Sequence, residues 1–152
     1  MLLDKITTDL HQAMKNRDRP MRETLRFLLS SVQKYQIDNY PPGSTKKLTD
    51  EDVVKVIRRH VKIRQEAITA FQKGQRQDLV AKETFELNLL QKYLPALLTE
   101  EEIRAFVKTL IDEGNTNFGQ IMAGIMQKWP GRVEGKRAAE IVQQALNQSQ
   151  AS

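Results

Sequence analysis

Apolar residues recur at intervals of three and four positions along most of the chain, and this period constrains the fold more than any other feature. Leu3, Ile6 and Leu10 begin the first stripe, and Ile57 and Val61 belong to a later one. Side chains spaced in this way lie on one face of an α-helix. Only 7 Gly and 5 Pro occur in 152 residues, which is too few for a turn-rich β architecture. The sequence therefore predicts an all-α fold.

Interruptions of this period divide the chain into seven predicted helices. Pro20 fits the first turn of the second helix, Thr49 is a suitable N-cap for the third, and Gly74 is the expected C′ residue at its end. Thr99 and Glu102 have the spacing of a capping box before the fifth helix. In chain order, the predicted helices cover about 3–14, 20–38, 50–73, 79–94, 99–113, 117–128 and 135–147. The end of the chain, from position 148 to 152, is expected to be disordered.

The helix lengths predict two units. Four long helices form an N-terminal unit over residues 1–95, and three shorter helices form a C-terminal unit over residues 96–152. A chain of this length suits either one compact domain or two small helical ones. The segment between the fourth and fifth helices is too short for a free linker, so the junction is expected to be tight.

Residues capable of catalysis are scarce. The chain has no Cys, which excludes a disulfide framework, a thiolate nucleophile and a cysteine metal site. His11 and His60 are the 2 histidines, and both are predicted to be surface or boundary residues of separate helices. The acidic runs at 50–52 and 100–102 begin helices, where carboxylates favour the helix dipole. We therefore predict no catalytic residue, no cofactor and no metal ion.

The N-terminal segment lacks the features of the common targeting signals. Residues 1–18 contain no apolar run long enough for a signal peptide, and Asp4 and Asp9 argue against an acid-poor transit peptide. No stretch approaches the apolar length needed to span a bilayer. We therefore expect no membrane association and a cytoplasmic location.

Charge is unevenly distributed along the chain. Residues 1–98 carry 18 Lys and Arg against 12 Asp and Glu, a net charge of +6, whereas residues 99–152 carry 6 against 7, a net charge of −1. A basic part suits a polyanionic partner, because neutralising phosphates releases counterions. An ordinary solvated surface is the alternative explanation.

Basic residues at helical spacing define two candidate phosphate-binding faces in the first unit. Arg22 and Arg26 share one face of the second predicted helix, and Arg58 and Lys62 share one face of the third. Neighbouring basic residues on or beside these faces are Arg19, Lys55, Arg59 and Arg64. Two such faces can follow a phosphate backbone. The alternative is a solvated face with internal pairs, such as Lys62 with Glu66.

A third candidate is the glycine-flanked basic turn GRVEGKR in the second unit. Gly135, Lys136 and Arg137 fall at a predicted helix N-terminus, where unpaired N–H groups and the helix dipole favour an anion. Arg132 precedes them, and Lys128 ends the sixth predicted helix. The turn lacks the spacing and the Ser or Thr of a nucleotide-hydrolase loop. Alternatively, its glycines serve only to turn the backbone.

Several segments resemble the YqeY-like family. RQEAITAFQKGQRQDLV at 64–80 is followed by Leu87 and by YLP at 93–95, and the second signature combines NFGQIMAG at 117–124 with GRVEGK at 131–136. The earlier RETLRFL segment, at 22–28, fits as well. The match covers essentially the whole chain in order. One departure is Trp129-Pro130, where family members commonly have an apolar residue and a lysine.

The resemblance implies a two-part all-α fold and a role with tRNA. The same module is similar to the tail of the B subunit of the glutamine-dependent aspartyl/glutamyl-tRNA amidotransferase (the GatB/YqeY domain) and to an appendage of some glutaminyl-tRNA synthetases. In those proteins the tail holds the outer corner of tRNA while chemistry occurs in another domain. Carried over to this chain, the resemblance implies RNA contact at Gly131, Arg132, Gly135 and Lys136.

Three functions are open at this point. The first is a non-catalytic tRNA-binding module that acts in trans beside an amidotransferase or an aminoacyl-tRNA synthetase. The second is a helical adaptor that binds a protein through a surface unrelated to its charge. The third is an accessory of a carbon–nitrogen ligase, with glutamine as amido donor, whose activity appears only in the complex.

Overall fold

The computed structural model describes residues 1–151 and contains, within that range, seven α-helices and no β-strand. The all-α prediction is confirmed. The helices are α1 (Leu2–Lys15), α2 (Arg19–Asn39), α3 (Asp50–Lys73), α4 (Gln77–Gln91), α5 (Glu100–Asp112), α6 (Phe118–Lys128) and α7 (Gly135–Ala151). None of these helices is long and apolar enough to cross a membrane.

The first of two compact units covers Met1–Leu94 and contains α1 to α4. Its core forms where the apolar stripes of the helices meet, as the three- and four-residue spacing requires. Ile6, Leu25 and Ile57 have no exposed surface, and each such side chain stabilises the fold by about 1.5–3 kcal/mol through burial. The other buried members of this core are Leu28, Val32, Val53, Val56, Val61, Leu89, Leu90 and Tyr93.

A buried aspartate fixes the connection between α2 and α3. Asp52 is 5% exposed and completes the capping box that Thr49 begins. Its carboxylate accepts hydrogen bonds from the Thr49 N–H at 2.9 Å, the Tyr40 hydroxyl at 2.8 Å and the Tyr35 hydroxyl at 3.3 Å. Burial alone raises the pKa of Asp52, but these hydrogen bonds together outweigh burial and hold the pKa below its ordinary range. The start of α3 is therefore tied to the end of α2.

The second unit begins at Pro95 and contains α5 to α7. Thr99 and Glu102 form the predicted capping box of α5, and the Asn117 side chain accepts a hydrogen bond from the Gln120 N–H at the start of α6. These caps satisfy N–H groups that have no partner within their own helices. The buried members of the core are Ile103, Val107, Ile121, Ile125, Val133, Ala138, Ile141, Val142 and Leu146.

α3 ends at Lys73 as predicted, but the C′ residue that follows it and the end of α4 differ from the prediction. Gly74 has a φ of −81°, and the left-handed backbone occurs one residue later, at Gln75, with a φ of 56°. α4 ends at Gln91 because the N–H groups of Tyr93 and Leu94 donate to carbonyls three residues back. Such hydrogen bonds tighten the chain into a turn before the following proline, whose ring disfavours helical backbone at the preceding residue.

The C-terminal end of α7 also differs from the prediction. The helix continues to Ala151, so the expectation of disorder is wrong over 148–151, and residue 152 lies outside the described residues. Ile141, Val142 and Leu146 are buried and anchor the preceding turns of α7. The last residues, rich in Gln and Ala, have helix propensities high enough to extend an anchored helix.

Candidate nucleic-acid interface

Three cations form a row along the exposed side of α3. Lys55, Arg59 and Lys62 are all exposed, and their spacing of four and three places them on one helix face. The opposite face carries Val53 and Ile57, which are buried in the core, so the row is held toward solvent. Within residues 1–151 none of the three cations makes an ion pair with a carboxylate. We call this feature the α3 row.

A groove of about 600 Å³ lies between α2 and α3 beside the α3 row. Lys55 and Arg59 line it from α3, and Tyr35 lines it from α2. Lys34, also in the groove, pairs with Asp38 at 2.9 Å, so its charge is already balanced. The groove therefore combines two unopposed cations with an aromatic side chain.

His60 forms part of the groove wall but is not a surface residue. It is 8% exposed, and its ring meets the Phe27 ring edge-on with 5.3 Å between the centroids. Burial lowers the pKa of His60, and the charges of Arg64 and Arg59 lower it further. The imidazole is therefore neutral at physiological pH. His60 is therefore not the surface residue that the prediction allowed; it lies at the boundary between the core and the groove, because its ring packs against α2.

Arg64 links α3 to α4 instead of joining the α3 row. Its Nε lies 2.8 Å from the Glu86 carboxylate and 3.5 Å from that of Glu83, and its side chain is only 13% exposed. The approach to these carboxylates does not have hydrogen-bond geometry, so we treat the cluster as an ion pair held by charge and packing. The charge of Arg64 is thereby balanced within the protein.

The predicted basic face of α2 lies on a different side of the unit. Arg26 is exposed and its guanidinium lies 4.0 Å from the sulfur of Met14, in α1. Arg22 is half-buried, and its Nε is buried without a hydrogen-bond partner among residues 1–151. Arg58 of α3 is also half-buried, and burial lowers its pKa. Of the four candidate residues in this unit, Lys62 and Arg26 are thus the most accessible.

In the second unit, Arg132 holds neighbouring backbone in place. Its Nε donates a hydrogen bond to the Ala96 carbonyl at 3.1 Å, and its own carbonyl accepts one from the Leu98 N–H at 2.9 Å. These contacts join the turn before α7 to the segment that leads into α5. Gly131 takes a φ of 71°, a backbone conformation that favours glycine.

Arg137 is engaged by two carboxylates. Its guanidinium pairs with Glu100 at the start of α5 and, at 2.6 Å, with Glu140 one turn further along α7. The hydrogen bonds to Glu100 and then to Glu140 raise the pKa of Arg137 above its ordinary value, and the same contact lowers the pKa of Glu100. An anion at this turn must compete with both carboxylates.

The two lysines of this region differ in their surroundings. The Lys128 ammonium lies 4.4 Å from the centroid of Phe106 and 4.8 Å from that of Trp129, and these two rings meet edge-on. Lys136 is exposed at the start of α7, next to Gly135, which begins that helix. Lys128 and Lys136 are both exposed, whereas Arg132 and Arg137 are half-buried. Lys136 differs from Lys128 in having no aromatic ring contact in the described part of the chain.

A metal ion would need a cluster of His, Asp or Glu side chains, because the chain has no Cys. Within residues 1–151 no group of three such side chains is positioned to hold a metal ion. The groove at α2 and α3 carries one neutral imidazole and the carboxylate of Asp38, which is already paired with Lys34. The chemistry that this groove offers is therefore binding through charge and aromatic surface.

These features define an all-helical protein of two compact units with an unopposed basic helix face on the first. The chain belongs to the YqeY-like family: the family model described as "Yqey-like protein" matches residues 3–146. The resemblance inferred from the sequence motifs is thereby confirmed.

Relatives with similar sequences come from several fungi. "Altered inheritance of mitochondria protein 41, mitochondrial" of Pyrenophora tritici-repentis is 27% identical over 152 residues, which cover 96% of this chain and 81% of that protein. The protein of the same name from Eremothecium gossypii is 31% identical over 121 residues, covering 78% of this chain and 64% of that protein. An uncharacterized Schizosaccharomyces pombe protein is 34% identical over 91 residues, covering 59% of this chain and 69% of that protein.

The prediction of a cytoplasmic location is wrong. The relatives that share the name given above are described as mitochondrial, which points to mitochondria rather than to the cytoplasm. The error came from treating residues 1–18 as informative about targeting. In the structure this segment forms α1, whose Ile6 and Ala13 are buried in the core. The segment is thus part of the folded unit, and its apolar pattern reflects the packing of α1.

Two exposed phenylalanines were not recognised from the sequence. Phe27 is 55% exposed beside the groove, and Phe85 is 45% exposed on α4. For Phe27 a signal was present, because it lies off the stripe formed by Leu25, Leu28 and Val32. An apolar residue off its own stripe lies on the solvent side unless another element covers it.

Proposed function

We propose that this chain is a non-catalytic tRNA-binding module. The observation that supports the proposal is the α3 row, in which Lys55, Arg59 and Lys62 are exposed and have no carboxylate partner in the described residues. The row extends over roughly 10 Å of helix, beside a groove with an aromatic wall. Cations held in this way favour a phosphate backbone, because binding releases the counterions of the nucleic acid.

The family kinship supports tRNA as the nucleic acid. The related amidotransferase tail holds tRNA without performing chemistry, and a free-standing module would do so beside an amidotransferase or an aminoacyl-tRNA synthetase. The names of the fungal relatives refer to mitochondria, so mitochondrial tRNA belongs among the ligands to be tested. In this proposal the basic turn of the second unit makes a smaller contribution, mainly through Lys136.

The test is a filter-binding titration against unmodified tRNA at several salt concentrations. Three phosphate contacts predict that log affinity falls with log salt at a slope of roughly −2 to −3. A triple variant, Lys55→Ala with Arg59→Ala and Lys62→Ala, is expected to lose at least about tenfold in affinity at low salt and most of the slope.

A matched control removes the same charge elsewhere in the unit. Lys15→Ala with Lys73→Ala and Lys92→Ala takes three exposed lysines from the ends of α1, α3 and α4, and this variant should keep most of the affinity and the slope. Equal losses in the two variants would mean that net charge, and not the α3 row, causes binding. Absence of tRNA binding together with capture of a specific protein would favour the adaptor function instead.

A further inference from the structure

Phe27 is an aromatic side chain that α2 presents to solvent on a rigid support. It is 55% exposed, yet its ring is held by His60 at a centroid distance of 5.3 Å and by the Arg64 guanidinium at 5.8 Å from the ring centroid. Both supports are themselves fixed, since His60 is 8% exposed and Arg64 pairs with Glu86 across to α4. The ring therefore offers a preorganised flat apolar surface.

This ring lies at one end of the groove beside the α3 row. Phe27 precedes Ser31 by one helical turn, so the two share a face of α2, and Ser31 lines the groove. His60, which contacts Phe27, follows Arg59 directly in α3 and also lines the groove. Ile63, 46% exposed, extends the apolar surface at the same end.

We propose that Phe27 is a stacking platform for an unpaired RNA base, while Arg59 and Lys55 hold phosphates of the same strand. The inference rests on the proposed function and specifies the part of the RNA that is bound. Exposed aromatic rings beside cations are the combination by which proteins bind single-stranded nucleic acid, because every base has a face that can stack. Bases within a duplex are already stacked on each other, so only a loop or a single strand can use this ring.

Charge complementarity favours an RNA base over an apolar protein segment at this position. An apolar segment placed on Phe27 and Ile63 would cover the neighbouring Arg59, one turn before Ile63 on α3, without supplying a counter-charge. Removing an unpaired charge from water is unfavourable. A nucleotide supplies the flat apolar face and the phosphate together. It therefore satisfies both parts of the surface.

The experiment compares a 12-nucleotide single-stranded RNA with a 12-base-pair RNA duplex, using the full chain. Phe27→Ala is expected to weaken single-strand binding about tenfold, to leave duplex binding within about twofold, and to leave the salt slope unchanged because no phosphate contact is lost. Phe27→Leu keeps apolar bulk without a flat face and should also lose affinity, whereas Phe27→Tyr should keep it.

Phe85→Ala is the matched control. Phe85 is 45% exposed on α4, outside the groove beside the α3 row, and its own groove mixes Glu23 and Glu86 with Arg19 and Lys82. Removal of Phe85 should therefore change neither the single-strand nor the duplex affinity. Unchanged single-strand affinity in Phe27→Ala would overturn the stacking inference while leaving the proposed function intact. Failure of the unmodified chain to bind any RNA would instead overturn the proposed function. Sedimentation of the same samples identifies self-association through Phe27, which would also overturn the inference.

Discussion

The carboxylates of the two units have different partners. This difference determines which Lys and Arg side chains are exposed without an ion pair. In the N-terminal unit, Asp52 accepts hydrogen bonds from tyrosine hydroxyls and backbone, and Glu86 and Glu83 share the single cation of Arg64. These three carboxylates are occupied internally, and none of the ion pairs in the described residues includes a cation of the α3 row. In the C-terminal unit, Glu100 is within ion-pair distance of both Arg137 and Arg104.

The basic character of a surface therefore depends on the cations that make no ion pair with a carboxylate of the same protein. In sequence, the turn GRVEGKR is as rich in cations as the α3 row. In the structure, Arg137 forms an ion pair with Glu100, which is 37 positions away in the chain. The pair forms because the starts of α5 and α7 lie together within the second unit. Surface charge thus depends on tertiary contacts, and the count of Lys and Arg in a segment does not report it.

The largest expected effect is a charge reversal that contrasts the two regions directly. Arg59→Glu with Lys62→Glu is expected to weaken tRNA binding by about 100-fold or more at low salt, because each change removes a phosphate contact and adds a repulsive charge. Lys128→Glu with Lys136→Glu makes the same change in net charge in the C-terminal unit and should cost about fivefold or less. A larger loss in the second variant would reverse the ranking of the two regions.

The next prediction contrasts the two capping boxes. Asp52→Ala leaves the Tyr40 and Tyr35 hydroxyls and the Thr49 N–H without their acceptor, and should lower the free energy of unfolding by about 2–3 kcal/mol. Glu102→Ala removes a carboxylate that accepts only from Thr99 and is solvent-exposed, so a smaller loss is expected. Denaturant titrations followed by circular dichroism measure both. Equal losses would show that the tyrosine contacts contribute nothing.

Trp129 allows the two units to be followed separately. It is the single tryptophan of the chain and belongs to the C-terminal unit, so its fluorescence reports unfolding of that unit. Asp52→Ala should shift the circular dichroism transition more than the Trp129 transition. A parallel shift of both signals would indicate that the two units unfold as one.

Acid should weaken the Asp52 contacts. Because the folded pKa of Asp52 lies below its ordinary value of 3.8, its contribution is fully present above pH 3.8 and is lost as the pH falls through the lower folded value. The difference in unfolding free energy between the unmodified chain and Asp52→Asn should therefore shrink between pH 6 and pH 3. Denaturant titrations at these two pH values measure it. A difference that grows on acidification would contradict the predicted direction.

A smaller stability effect is expected at Arg132. Arg132→Ala removes the hydrogen bond to the Ala96 carbonyl and should lower the stability of the C-terminal unit by about 1 kcal/mol, detected through Trp129 fluorescence. Lys136→Ala, next to the same turn, should leave stability unchanged. RNA binding by the turn is consequently best tested at Lys136, because a loss of affinity in Arg132→Ala could come from a displaced backbone segment.

Much of the fold could be predicted from sequence, and much of the site could not. The helices, the cap at Thr99 and the packing of Ile57 follow from local spacing, since the periodicity of a helix determines which side faces the core. The ion pair of Arg137 with Glu100 and the burial of His60 against α2 depend on elements that are distant in sequence. No local pattern contains that information, which is why the sequence identified basic residues without showing which of them are unopposed.

The smallest expected effect concerns the left-handed residues that end helices in the two units. Gln75, two residues beyond the end of α3, has a φ of 56°, and Gly114, two residues beyond the end of α5, has a φ of 98°. In both, the N–H of the next residue bonds the carbonyl five positions back, as from Arg76 to Phe71, the arrangement of a Schellman motif.

Left-handed backbone is unfavourable for a residue with a Cβ by about 1 kcal/mol. A Cβ at Gly114 meets nothing within 4 Å, so Gly114→Ala adds backbone strain without a steric clash. Alanine also has less freedom than glycine in the unfolded chain, which offsets part of this strain, so stability should fall by only about 0.5 kcal/mol. Gln75→Gly removes the same strain, but glycine also gains freedom in the unfolded chain, so a net gain of only about 0.5 kcal/mol is expected. Trp129 fluorescence follows the first variant and circular dichroism the second. A loss of stability in Gln75→Gly would mean that the Gln75 side chain makes a stabilising contribution of its own.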